Sequence, residues 1–173
     1  MTKINIIQKK LGKIKLLLMD FDGVLTDGFV YVNGKGEESV KCSRKDGLGI
    51  SMLKRAGFGV GVISKETNQV VSVRCKKMGI FCFQKVSDGE EKLKILKRVQ
   101  KEFKISTEET AYMGDDLQDI PILKYVGCAI AVADAHPQVK KSAHFVTCSK
   151  GGDHAVREIC EMILQAKGIK IEY

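Results

Sequence analysis

The chain has 173 residues, 44% of them hydrophobic and 29% charged, the proportions of a soluble globular domain with a core of its own. No apolar run approaches the ~20 residues of a membrane span, and residues 1–15 mix lysine with isolated isoleucine and lack a signal-peptide centre. The expectation is therefore one cytoplasmic domain over 1–173, with no membrane partner. The formal net charge is +8 and tryptophan is absent, but the lysines are spread over helix faces and no nucleic-acid module is recognisable, so nucleic acid is not expected as a partner either.

Leu16-Leu17-Leu18-Met19 is apolar without a break and reads as a strand buried on both faces. It stops abruptly at Asp20-Phe21-Asp22-Gly23. A carboxylate buried without a partner is costly, whereas the carboxyl edge of a parallel sheet is where open α/β folds bind ligands. In extended backbone, positions i and i+2 point the same way, so Asp20 and Asp22 converge on one volume. Two acids sharing a site repel each other, and a hard divalent cation such as Mg2+ relieves the repulsion. Alone, the pair reads equally well as turn residues after a strand.

Phe29 to Val32 is β-prone, Asn33-Gly34-Lys35-Gly36 signals a turn, and Glu38 to Cys42 returns as a partner strand. This hairpin comes too early for a βαβ crossover and is placed as a protrusion. Asp46-Gly47 opens a helix to about Ala56. A second buried strand, Phe58 to Ile63, ends in Ser64-Lys65-Glu66, and a helix follows to Met78, closed by Gly79. Ile80 to Phe83 is a third strand and Glu91 to Phe103 a helix. Ser106 to Glu109 fits a capping box. Thr110 to Met113 is a fourth strand, followed by Gly114-Asp115-Asp116-Leu117-Gln118-Asp119. Pro121 sits where a first helical turn tolerates it. Cys128 to Val132 is a fifth strand, Phe145 to Thr147 a short sixth, and a last helix ends near Lys167. Six cysteines are scattered without a Cys-x-x-Cys and read as reduced thiols, not as a disulfide frame or a zinc site. Strands alternating with helices argue an α/β fold with a central parallel sheet.

Polar clusters therefore stand at the ends of separate strands: Asp20 and Asp22, Ser64, Asp115 and Asp116, with Lys85 or Lys92 after the third strand. In an open parallel sheet these ends share one crevice. A carboxylate nucleophile, a second acid, a hydroxyl, an ammonium and further metal-binding acids suit phosphoryl transfer. No Walker-type glycine loop is present. Singly, each has a plainer reading: Ser64 and Asp116 as helix caps, Lys92 as a solvated helix lysine.

From about Lys13 to Gly168 the chain resembles the phosphatases of the haloacid dehalogenase superfamily. The likeness is strongest to the capless branch that holds 3-deoxy-D-manno-octulosonate 8-phosphate phosphatases and the 9-phosphate phosphatases of sialic-acid-like nonulosonates. The resemblance rests on Asp20 to Gly28, Asp46-Gly47-Leu48-Gly49-Ile50, Gly114 to Asp119, Val132 to Pro137 and Gly151 to Glu158. It implies a Rossmann-like three-layer sandwich with a protruding hairpin and no cap domain. It also implies a sugar-acid phosphate substrate, Mg2+, lipopolysaccharide or sialic-acid metabolism, and a homotetramer in which the hairpin packs against neighbours.

The resemblance further implies residue roles. Asp20 is expected to attack phosphorus and carry the phosphoryl group. Asp22 is expected to protonate the leaving alkoxide and then activate water. Mg2+ is expected on Asp20, Asp115 and the Asp22 main-chain carbonyl. Ser64 and Lys92, the latter preferred over Lys85, are expected to bind phosphate, with Asp116 orienting the lysine and Asp119 supporting. Asp46, Glu66 and Arg157 are expected to contact substrate. The chain departs from the branch's pattern at three points. Asp88-Gly89-Glu90 looks inserted before Lys92, Lys65-Glu66 replaces a usual Gly-Arg and favours the nine-carbon acids, and His154 stands where glycine is usual. A catalytically silent tetramerisation module and a receiver-like domain are rival readings; the intact Asp20, Asp22, Ser64 and Asp115 weigh against the first, and the second acid at position 22 against the second.

Overall fold

The protein is described from a computed structural model covering residues 3–171. Helix α1 (Lys3–Leu11) precedes strand β1 (Leu16–Met19). All four β1 residues are fully buried, as an unbroken apolar run requires when helices cover both faces of a sheet. On one side β1 pairs in parallel with β4 (Gly59–Ile63), Leu16 opposite Gly59. On the other it pairs in parallel with β6 (Thr110–Gly114), Leu16 opposite Thr110.

The chain steps outward from β4 through α3 (Val70–Met78) to β5 (Phe81–Phe83). Helix α4 (Gly89–Phe103) then carries it back across β1 to β6. From there it steps outward the other way through α5 (Ile120–Leu123), β7 (Cys128–Ala131), α6 (Pro137–Ser142) and β8 (Phe145–Val146). The strand order is β5-β4-β1-β6-β7-β8 and every pairing is parallel. The winding reverses at β1, so the carboxyl ends of β1, β4 and β6 flank the switch point where such sheets open a crevice.

The expected hairpin is present as β2 (Thr26–Val32) and β3 (Glu38–Cys42), a separate antiparallel ribbon whose register shifts between Thr26 and Val30. Asn33 shapes its turn by accepting at Oδ1 from the N–H groups of Lys35 and Glu37. Phe29 and Tyr31 are 73% and 66% exposed.

One element carried no expectation, and two expectations need correction. Residues 3–11 form a helix, because Ile7 and Leu11 bury against the core while Lys9 stays outside and half-buried Lys10 donates to the Gly127 carbonyl. Ser106 to Glu109 forms a turn and not a helix cap: Glu109 accepts from the Ser106 N–H and pairs with Lys15, so the motif joins β6 to the segment before β1. Asp46 and Arg157, expected at substrate, belong to the seam between α2 (Arg44–Arg55) and α7 (Ala155–Ala166). Asp46 is fully buried and its Oδ1 accepts from the Arg157 backbone N–H at 2.8 Å. A side chain from one helix thus satisfies an amide that the first turn of the other leaves open.

Asp46→Ala strands that amide, so urea unfolding should show a loss of about 1–3 kcal/mol. Because Asp46 lies outside the crevice, KM for substrate should stay unchanged.

Candidate active site

Asp20 follows β1 directly and continues its ladder, its N–H donating to the Met113 carbonyl of β6. The residue is 2% exposed. Lys92, fully buried, donates from Nζ to Asp20 Oδ2 at 2.6 Å and to Asp119 Oδ1 at 2.9 Å. Asp119 Oδ1 also accepts from the buried Tyr112 hydroxyl at 2.9 Å, and its Oδ2 accepts from the Asp115 N–H at 3.0 Å. Both Asp119 oxygens are thereby committed to donors within the protein.

The stretch that looked inserted brings the lysine there. The Asp88 side chain caps α4 by accepting from the Glu91 N–H. Gly89 lets the start of the helix press against the turn after β6: a Cβ at position 89 would lie 2.4 Å from the Gln118 carbonyl oxygen. Lys92, one turn further, then reaches between the ends of β1 and β6. Lys85 is exposed.

Asp115 stands beside Asp20. One oxygen each from Asp20, Asp115 and Asp119 lie within 4.8 Å of one another. Asp115 Oδ1 is buried and has no partner within the protein. Burial, followed by the charge of Asp119, pushes the Asp20 carboxyl up to about 7. Burial, with the charges of Asp20 and Asp119 behind it, pushes Asp115 up to about 8. Burial works against the Lys92 ammonium, but the two carboxylates overcome it and hold its pKa above the ordinary value. Two acids that resist ionising, one of them with an unpartnered oxygen, fit a divalent cation bound through hard oxygen ligands. Asp119 shares the cluster but is fully buried behind the crevice wall, whereas Asp20 lines the crevice and Asp115 keeps the unpartnered oxygen, so these two are the acids placed to hold an ion.

The other strand ends complete the crevice, about 480 Å3 lined by Asp20, Asp22, Ser64, Lys65, Glu66, Asp116, Leu117 and Gln118. Ser64 Oγ accepts from the Glu66 N–H at 3.1 Å, which leaves the hydroxyl hydrogen to a ligand. Asp22 is half-buried and its Oδ1 accepts from Thr26 Oγ1 at 3.3 Å. Burial raises its pKa, the direction that suits a proton donor. Glu66 sits on the rim with Oε1 taken by the N–H groups of Thr67 and Asn68. Asp116 is exposed and caps the turn by accepting from the Leu117 N–H.

A family profile described as haloacid dehalogenase-like hydrolase matches residues 61–159. The chain belongs to the haloacid dehalogenase-like hydrolases. It is 38% identical to the 3-deoxy-D-manno-octulosonate 8-phosphate phosphatase KdsC of Yersinia pestis over 94% of this chain and 86% of that one. Among solved structures it resembles the 3-deoxy-D-manno-octulosonate 8-phosphate phosphatase of Moraxella catarrhalis, in complex with magnesium, phosphate and KDO. That likeness has a TM-score of 0.91 and 36% identity over 95% of this chain and 94% of that one. The cobalt-bound enzyme of Haemophilus influenzae gives 0.86 and 38%, over 92% of both. The chain is thus a phosphatase of this family, a phosphoric monoester hydrolase. Mg2+ is the family's cofactor, and the acidic cluster is chemically suited to it.

Of the residues singled out in the sequence of this haloacid dehalogenase-like phosphatase, the fold brings Asp20, Asp22, Ser64, Glu66, Lys92, Asp115, Asp116 and Asp119 to one edge. It leaves Asp46 and Arg157 in the α2–α7 seam. The acid that orients Lys92 is Asp119, not Asp116, because the turn after β6 folds Asp119 back beneath the lysine. Tyr112 and Gln118 were not foreseen. Tyr112 was placed only as part of the fourth strand, and no spacing there signals that its hydroxyl meets an acid.

Gly23 has φ +74°, and a Cβ there would lie 2.0 Å from Asp115 Oδ2. Gly23→Ala should therefore weaken Mg2+ binding by about tenfold or more in titration calorimetry. The raised carboxyls give a second expectation. The fold favours the protonated acids, so in metal-free protein their stabilisation is full below the ordinary value of 3.8 and is lost as pH rises through about 7 and 8. Mg2+ binds the ionised form, so its effect on Tm should be larger at pH 8.5 than at pH 6 in thermal unfolding.

Proposed function

We propose that the chain is a Mg2+-dependent phosphatase of a sugar-acid phosphate, most simply the 8-phosphate of 3-deoxy-D-manno-octulosonate. The observation that carries the reading is the floor of the crevice, where Asp20 is held by Lys92 beside the orphan oxygen of Asp115. The names of the relatives supply the substrate class.

In this reading Asp20 attacks phosphorus in line with the leaving alkoxide, forming an aspartyl-phosphate. Asp22 gives its proton to the alkoxide as that bond breaks, then takes one from the water that hydrolyses the acyl phosphate. The Ser64 hydroxyl and the Lys92 ammonium bind phosphoryl oxygens. Asp119 and, behind it, Tyr112 keep Lys92 aimed at them. Mg2+, held by the Asp20 and Asp115 carboxylates with the Asp22 main-chain carbonyl, would offset charge between the acids and the phosphate. The ribbon of β2 and β3, with Phe29 and Tyr31 bare, is the surface through which a homotetramer would form, and the setting is the cytoplasm.

A second substrate has one observation in its favour. Two backbone N–H groups pin the Glu66 carboxylate at the rim, where it offers an acceptor to the hydroxyls or acylamino group of a longer, nine-carbon acid. Turnover of the eight-carbon and nine-carbon phosphates side by side separates the two readings. Phosphate release from the preferred one should stop on chelation and return with Mg2+. Asp20→Asn should lower kcat by at least about 10³-fold, and wild-type turnover in that variant would overturn the mechanism.

A further inference from the structure

Asp20 Oδ2 is approached from two sides. Lys92 Nζ donates to it at 2.6 Å, and Gln118 Nε2 stands 3.4 Å away on the crevice side. The turn Leu117–Asp119 that carries Gln118 is built without the amide. The Leu117 N–H donates to Asp116 Oδ1 at 2.7 Å, the Asp119 N–H donates to the Asp116 carbonyl at 2.9 Å, and the Gln118 backbone carbonyl is what packs on Gly89. The side chain is therefore free of a structural task and turned toward the reacting carboxylate.

We propose that Gln118 is a catalytic residue that bridges Asp20 and the transferring phosphoryl group. The inference rests on the phosphatase reading above. A carboxamide nitrogen carries two hydrogens. One meets Asp20 Oδ2, and the other serves a phosphoryl oxygen as the Asp20–phosphorus bond forms and the phosphorus–alkoxide bond breaks. No proton leaves Gln118, since the alkoxide takes its proton from Asp22. A neutral donor is suited to this place. A further ammonium would compete with Lys92 and Mg2+ for the nucleophile's electrons, and a carboxylate would repel the incoming phosphate. The amide brings the two anions together without altering the charge of the site, and its donation strengthens as charge develops on the phosphoryl oxygens.

Gln118→Leu removes the amide and keeps the bulk. It should lower kcat by about tenfold to a hundredfold, with KM nearly unchanged, Tm unchanged, and inhibition by orthovanadate weakened by the same factor as kcat/KM. Gln118→Glu keeps the shape and adds charge, and should lose more than the leucine variant. It carries the same test should leucine disturb the turn. Wild-type kcat in either variant, or a loss confined to KM with vanadate inhibition intact, would overturn the assignment. Asp20→Asn assayed in parallel separates the two claims. If it is inactive while Gln118→Leu is unimpaired, only the role of Gln118 fails; if both turn over normally, the phosphatase mechanism fails.

Discussion

A lysine ammonium sealed between two carboxylates fixes the relation of everything else in the crevice. Lys92 comes from α4, Asp20 from the end of β1, and Asp119 from the turn after β6; Lys92 and Asp119 are fully buried, and Asp20 opens only to the crevice. Removing one partner from such a group typically costs 3–5 kcal/mol, because a buried charge is left alone. The contact therefore ties a helix to two strands at the point where their relative position governs chemistry. It also leaves a definite electrical remainder. Three carboxylates, Asp20, Asp115 and Asp119, face one ammonium, so full ionisation leaves two negative charges, the complement of one divalent ion. Without that ion, burial first and the surplus charge second keep protons on Asp20 and Asp115 up to about 7 and about 8.

Much of this could be read from residues alone. An uncharged run such as Leu16 to Met19 has few uses other than a central strand, and acids placed immediately after it have few uses other than a site. The same reasoning found Ser64 after β4 and Asp115 after β6, because strand ends converge in space whatever separates them in sequence. The sheet's composition, the hairpin's protrusion and the helix that carries Lys92 followed from periodicity and turn residues. The main misses lay where tertiary context outweighs pattern. Helix α1 spends its apolar surface on two anchors, Ile7 and Leu11, too few to stand out among lysines. Asp46 looks like a site acid because it opens a helix, yet its partner is an amide 111 residues away.

Division of labour within a cluster was the least legible part. Spacing shows that Asp115, Asp116 and Asp119 share a turn, but not which way the turn folds. The 3-10 geometry of Leu117–Asp119 sends Asp116 outward as a cap and Asp119 inward beneath Lys92. The same twist presents Gln118 to the crevice. The path of one three-residue turn thus assigns three side chains their surroundings, and no periodicity reports it.

The sheet's margins bear on how this molecule meets others of its kind. A bare β-edge invites foreign strands in proportion to its length, and the outermost strands here are only three and two residues long, β5 and β8. They offer almost no template for runaway stacking. The antiparallel ribbon is different: its strands are longer and carry exposed Phe29 and Tyr31. Among the described residues, the strand margins long enough to template another chain are therefore on this ribbon, and the central sheet itself is guarded against such pairing.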